Sequence, residues 1–277
     1  MRHRWPYWRA FVLLLAVMTP PALADAQGKS KLDEVLARGY VIVGTSSEAP
    51  PFGFINEKGE LVGFDVDIAK LVAKAIFGSE KIEFVKQGFA ARWANVQAGK
   101  IDFGIQVTTI YPDRALKVAF TRPYVDSGIT MVVKKGSPIQ KLADLNNEKY
   151  TVANLTTPVQ ADRSKKFFPK AKTVTFDSVA AQFTAVKTAR AEAAQLDVPV
   201  ALWYAKDHPD IRVLDEWLTD PTNNAIFLKL DDFAWWRFLD TVVGEMRGGS
   251  LFSEYRAIHK KWFGVDPQHE KWYVGKQ

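Results

Sequence analysis

VIVGT, residues 41–45, is a β-branched apolar run that stops at the small, polar turn SSEAPP (46–51). Such a run reads as a buried parallel strand feeding a loop. Asp65 then opens VDIAKLVAKAIF (66–77), with apolar residues at 68, 71, 72, 75 and 76. That spacing predicts an amphipathic helix with an acidic first turn. KIEFV (81–85) predicts a second strand, residues 92–98 a short helix and IDFGIQV (101–107) a third strand. Strand and helix alternating in this way predict a parallel sheet with helical crossovers.

The same rhythm returns further along. ITMVVK (129–134) is a strand before the turn Gly136-Ser137-Pro138, followed by YTVAN (150–154) and VTF (174–176). Helices are expected near 158–167 and 178–189. RAEAAQL (190–196) has helix propensity, and only its place in the alternation argues for a strand at 191–196. AIFLK (225–229) predicts a further strand, 232–247 and 251–262 amphipathic helices, and 264–277 a polar tail holding Trp272 and Tyr273. The fold class is α/β, built from two units.

Working outward to the N-terminus, residues 1–9 carry Arg2, Arg4 and Arg9 and no acid, and AFVLLLAVM (10–18) is a short apolar run. Pro20-Pro21 ends it, and Ala22-Leu23-Ala24 places small residues where a signal peptidase cuts; Ala26 offers a second cut. The expectation is a signal peptide over 1–24, because the run is too short to span a bilayer. Its removal lowers the formal net charge from +6 to +3. An ordinary soluble surface results, with no footprint for nucleic acid. The 277 residues contain no cysteine, which excludes a disulfide scaffold, a thiolate metal site, a cysteine nucleophile and a lipid anchor on an N-terminal Cys. Export without cysteine fits a periplasm or extracellular space.

Catalytic patterns are absent. His208, His259 and His269 lie far apart, and there is no GxSxG, HExxH, GxGxxG or Walker loop. The pairs Asp65/Asp67 and Asp231/Asp232 open helices, where they are expected to favour the helix dipole. QVTTIYPDR (106–114) is different: Thr108 and Thr109 close a strand and Arg114 follows a Pro-Asp turn. Ligands of open α/β sheets sit beyond the strand ends. A hydroxyl and a guanidinium there suit a carboxylate clamp, while spacing alone favours a capped turn with a surface arginine.

VIVGTSSEAPPFGF (41–54), ELVGFDVDIAKLVAKAI (60–76), VQAGKIDFGIQVTTIYPDRA (96–115), VAFTRPYVDSGITMVVKKGSPI (118–139), KLADL (141–145) and KKWFG (260–264) occur in one order. Together they resemble the family 3 periplasmic solute-binding proteins of polar amino-acid ABC transporters, over about residues 38–264. The resemblance implies a two-lobed periplasmic-binding-protein type II fold, a Venus flytrap whose lobes are mostly parallel sheets flanked by helices. Lobe 1 would hold 29–124 and 224–277, lobe 2 would hold 125–223, and crossovers near 124–128 and 219–224 would form the hinge.

By position, the resemblance makes Arg114 the arginine for an α-carboxylate, with Thr109 beside it, and Asp197 the aspartate for an α-ammonium. Thr156 and Thr157 match a loop before a lobe 2 helix whose free N–H groups suit a carboxylate. Phe89 matches an aromatic that packs on the ligand side chain, or else a core residue under the loop. Arg92 matches an arginine that faces a second carboxylate in relatives for acidic ligands, or else a solvated helix residue. Ser46 stands where relatives often carry an acid, Ala49 where they carry a large aromatic, and Val107 where glycine is frequent. Asn154-Leu155-Thr156 replaces a Ser-Gly-Thr turn and Asn223-Asn224 a Tyr-Gly pair, so the side-chain pocket is rebuilt. The implied function is capture of an L-amino acid, polar with an acidic or amide side chain, and delivery to a membrane permease by a periplasmic monomer without cofactor, metal or catalysis. Two alternatives remain open. One is an enzyme resembling cyclohexadienyl (prephenate or arogenate) dehydratases, which would need a protonated carboxylic acid in the cleft; Glu48 is placed only at its rim. The other is a ligand-sensing input domain.

Overall fold

Two five-stranded sheets organise the computed structural model, which describes residues 29–267. The first runs in the order Ile82–Lys86, Val41–Thr45, Phe103–Gly104, Phe227–Leu228, Ala119–Phe120. The second runs Lys172–Phe176, Thr151–Leu155, Ala193–Asp197, Ile129–Lys134, Ile211–Val213. In each sheet four strands point one way and the fourth in order points against them. The two halves thus repeat one topology, and the fold is the two-lobed α/β arrangement expected. The chain passes between the sheets through Val125–Ser127 and returns through Thr222–Asn224, and these two segments pair antiparallel. The expected signal peptide 1–24, both expected cut sites, His269 and the Trp272-Tyr273 tail lie outside the described residues.

The helix Phe64–Phe77 buries Phe64, Val66, Ile68, Leu71 and Val72 against the first sheet. Phe64 meets Tyr124, Tyr255 and Phe263 from later elements. The helix Phe233–Gly248 sends Trp235, 1% exposed, beside Phe103, and its indole Nε1 donates to the Asp102 carbonyl at 2.9 Å. Burying an aromatic of this size contributes about 1.5–3 kcal/mol, and the hydrogen bond removes the penalty of a buried N–H. Asp232 acts as a double cap: it accepts from Trp235 N at 3.0 Å and from Lys31 N at 2.6 Å. His208 packs on Phe183, and His259 lies among Phe64, Tyr255 and Phe263, where burial lowers its pKa.

Several elements differ from expectation. The third strand pairs only at Phe103–Gly104, although Ile105 N still donates to Gly44 O at 2.9 Å. Beyond that the chain bends, with Val107 at φ 43°, a left-handed conformation that a β-branched residue rarely adopts. The strand expected over 225–229 is likewise short, Phe227–Leu228. Gly104 explains their closeness, since a Cβ there would lie 2.0 Å from Phe227 Cζ. Helices Lys31–Arg38 and Val198–Lys206 were not foreseen. Asp65 is not a dipole partner but a fully buried carboxyl, while Asp67 bonds Lys261 Nζ and Trp262 Nε1 at 2.7 and 2.8 Å.

Candidate functional site

Strand ends from both sheets converge on one cavity of about 50 Å³. The first half supplies Arg114 from the short helix Pro112–Ala115, whose Nη1 donates to the Thr109 carbonyl at 2.7 Å. Pro112 at the helix start and the Tyr111 N-cap turn the chain back so that the guanidinium folds over residue 109. Thr109 is held by a bridge to Asn224, its Oγ1 donating to Asn224 Oδ1 at 3.2 Å. Arg114 thus has one side fixed while the residue lines the cavity. Burial lowers its pKa.

The second half supplies Asp197, at the end of the strand Ala193–Asp197. Its Oδ1 accepts from Ser127 Oγ at 3.0 Å, a bond that reaches the segment joining the two halves. Burial raises its pKa; the Ser127 bond and the charges of Arg163, Arg114 and Arg92 act against that rise. A cation in the cavity would favour the carboxylate further.

Arg92 begins the helix Arg92–Gln97 and is 3% exposed. Its guanidinium lies 4.3 Å from the Trp93 ring centre and 5.4 Å from that of Phe89. Its Nη1 reaches Thr108 Oγ1 only at 3.4 Å, and its buried Nε has no partner. Burial chiefly, then the Arg114 charge, lowers its pKa to about 9, with Asp197 opposing; it stays charged at neutral pH. It is therefore not a solvated surface residue.

Of the residues singled out by sequence, Arg114, Thr109, Asp197, Phe89, Arg92, Val107 and Thr157 line this cavity, as does Ala49. Thr156 and Ser46 do not. Thr156 is exposed and turns outward, its Oγ1 donating to Phe176 O and Asp177 Oδ1 at 3.1 and 2.9 Å. Ser46 is buried outside the lining, its Oγ accepting from Glu48 N at 3.1 Å. Side chains alternate along an extended segment, so only one of two adjacent threonines can face the cavity.

Sequence reasoning missed Tyr111, Gln160, Arg163, Gln182 and Gln195, which also line it. Arg163 Nη2 donates to Tyr111 Oη at 2.6 Å across the two halves. Gln195 Nε2 donates to Asn154 Oδ1 and Ser164 Oγ, both at 2.8 Å, and Gln182 Nε2 to Gln160 Oε1 at 2.8 Å. Two signals were legible: polar Gln195 inside an apolar strand, and Gln160 with Arg163 at i,i+3 on one helix face. Among the described residues no three His, Asp or Glu side chains gather as metal ligands, and no helix is long and apolar enough to cross a membrane.

The site therefore presents a guanidinium, Arg114, and a carboxyl group, Asp197, to one cavity. Comparison with known proteins agrees with the fold around it. The model of the bacterial extracellular solute-binding proteins, family 3, matches residues 41–265. A glutamine-binding protein of Geobacillus stearothermophilus is 35% identical over 191 residues, 68% of this chain and 72% of that one. The glutamine-binding protein of a Bacillus subtilis ABC transporter is 29% identical over 93% of this chain and 94% of its own. Among solved structures, an ancestral amino-acid-binding protein, described as a precursor of cyclohexadienyl dehydratase, superposes with a TM-score of 0.78 at 33% identity. It covers 84% of this chain and 100% of its own.

Proposed function

The chain belongs to the bacterial extracellular solute-binding proteins of family 3, and from that premise we propose that it is the receptor of an amino-acid ABC transporter. It captures an L-amino acid with an acidic or amide side chain between two lobes and hands it unchanged to a membrane permease. The observation that carries this reading is that Arg114 and Asp197 face one cavity from opposite sheets. A zwitterion with its two charges in place bridges the halves and stabilises the closed form. Among the described residues, lobe 1 comprises 29–124 and 224–267 and lobe 2 comprises 125–223, with the paired segments Val125–Ser127 and Thr222–Asn224 as the hinge. Residues of both halves line the cavity, so an amino acid enters as the lobes separate.

The protein works as a periplasmic monomer without cofactor or catalysis. In support, among the described residues the cavity wall holds a single acid, Asp197, and no histidine; an ammonium would hold that acid ionised. Names among the relatives, for glutamine and arginine, support an α-amino acid as the ligand class. A thermal-shift panel on mature protein refolded from denaturant tests this, using all L-amino acids plus prephenate and arogenate. A ligand at about 100 times its Kd adds roughly 2.7 kcal/mol. A shift with one or a few amino acids, recovered unchanged, supports the receptor. A flat amino-acid panel, or turnover of prephenate or arogenate, contradicts it.

A further inference from the structure

Three guanidiniums line the cavity against one carboxylate. Arg92 is 3% exposed, Arg163 is 9% exposed and Arg114 is half-buried. None of the three has a carboxylate within salt-bridge distance among the described residues. Their hydrogen bonds go to neutral oxygens: Thr108 Oγ1 for Arg92, Thr109 O for Arg114, and Tyr111 Oη with Gln195 Oε1 for Arg163. Buried cations without counter-ions are costly, and the usual resolution is a bound anion. An α-amino acid with a neutral side chain does not supply it. Its carboxylate and ammonium match Arg114 and Asp197 and cancel, leaving two guanidiniums uncompensated.

Arg92 and Arg163 differ in what they offer. Arg92 is sandwiched against Trp93 and Phe89, and its one polar contact is long. Arg163 projects from the helix Pro158–Phe167 in the other half. It lines the same cavity as Asp197 and Arg114. Tyr111 Oη, from the half that carries Arg114, fixes one edge of its fork. The other contact, 3.4 Å to Gln195, is weak and easily exchanged for a carboxylate. Resting on the amino-acid reading above, we propose that the ligand is an acidic amino acid and that Arg163 is the specificity residue taking its side-chain carboxylate. Tyr111 positions that guanidinium across the cleft.

Calorimetric titration of refolded mature protein with L-glutamate, L-aspartate, L-glutamine and L-arginine tests this. The expected result is at least tenfold tighter binding of glutamate or aspartate than of glutamine or arginine. In Arg163→Gln the acidic-over-amide preference collapses to near unity; Arg163→Lys, which keeps the charge but loses the fork, retains part of it. Thermal melts without ligand establish that each variant is folded. Glutamine or arginine binding as tightly as the acids, or an undiminished acid preference in Arg163→Gln, overturns this inference while leaving the amino-acid receptor standing. Failure of all α-amino acids to bind overturns the receptor reading itself.

Discussion

Replacing Asp65 by Asn should remove a pH dependence that the wild-type protein carries through its midrange. Asp65 is fully buried; its Oδ1 accepts from Tyr124 Oη at 2.7 Å and its Oδ2 from Val107 N at 2.9 Å. Burial outweighs those two bonds, and the Asp197 charge adds to it, so the pKa rises from 3.8 to about 7. The folded state therefore holds this proton more tightly than the unfolded chain. The stabilisation is complete below about pH 3.8 and is lost as pH rises towards 7. Three pH units at about 1.4 kcal/mol each correspond to about 4 kcal/mol. The asparagine side chain does not titrate; its oxygen can accept from Val107 N–H and its amide can donate to Tyr124 Oη. Urea unfolding followed by tryptophan fluorescence at pH 4 to 8 measures the difference. Asp65→Asn minus wild type should become more favourable to the mutant by about 4 kcal/mol across that range. Parallel profiles, differing by less than 1 kcal/mol from end to end, would refute the burial argument. The same bond bears on ligand binding, because it holds the backbone of Val107, which lines the cavity in its left-handed conformation.

Arg114→Ala should abolish ligand binding, because it removes a charge-assisted fork and strands a carboxylate in a buried site; near-wild-type affinity by calorimetry would refute the clamp. Asp197→Asn should weaken binding by about 2–5 kcal/mol, and a loss below about 0.5 kcal/mol would place the ammonium elsewhere. Gly104→Ala should destabilise the first sheet by about 1–3 kcal/mol, since the new methyl meets the Phe227 ring; an unchanged urea midpoint would contradict that packing.

Most of the architecture was legible because hydrophobic period and order agree in this chain. VIVGT, the helix after Gly63 and the strand–helix alternation all have local signals. RAEAAQL shows the limit. Its composition favours a helix, yet Ala193–Asp197 pairs with Thr151–Leu155 and Ile129–Lys134, and sheet burial overrides propensity. The helix Lys31–Arg38 had signals in Ser30, whose Oγ accepts from Leu32 N, and in Leu32, Val35 and Leu36 at i, i+3 and i+4, although only Val35 of these is buried. At the site, chain order placed Arg114, Thr109 and Asp197 near strand ends. It did not tell Thr156 from Thr157, because that depends on which neighbour turns inward. Nor did it find Arg163, whose position follows from a helix face and from a tyrosine on the opposite half.

The most direct test of the central claim is a crystal structure of the refolded protein grown with the amino acid that gives the largest thermal shift. The account predicts that the α-carboxylate lies in the open fork of Arg114 and the α-ammonium on Asp197, with both lobes touching the ligand. A ligand bound outside this cavity, or one that leaves Arg114 and Asp197 unengaged, would contradict it.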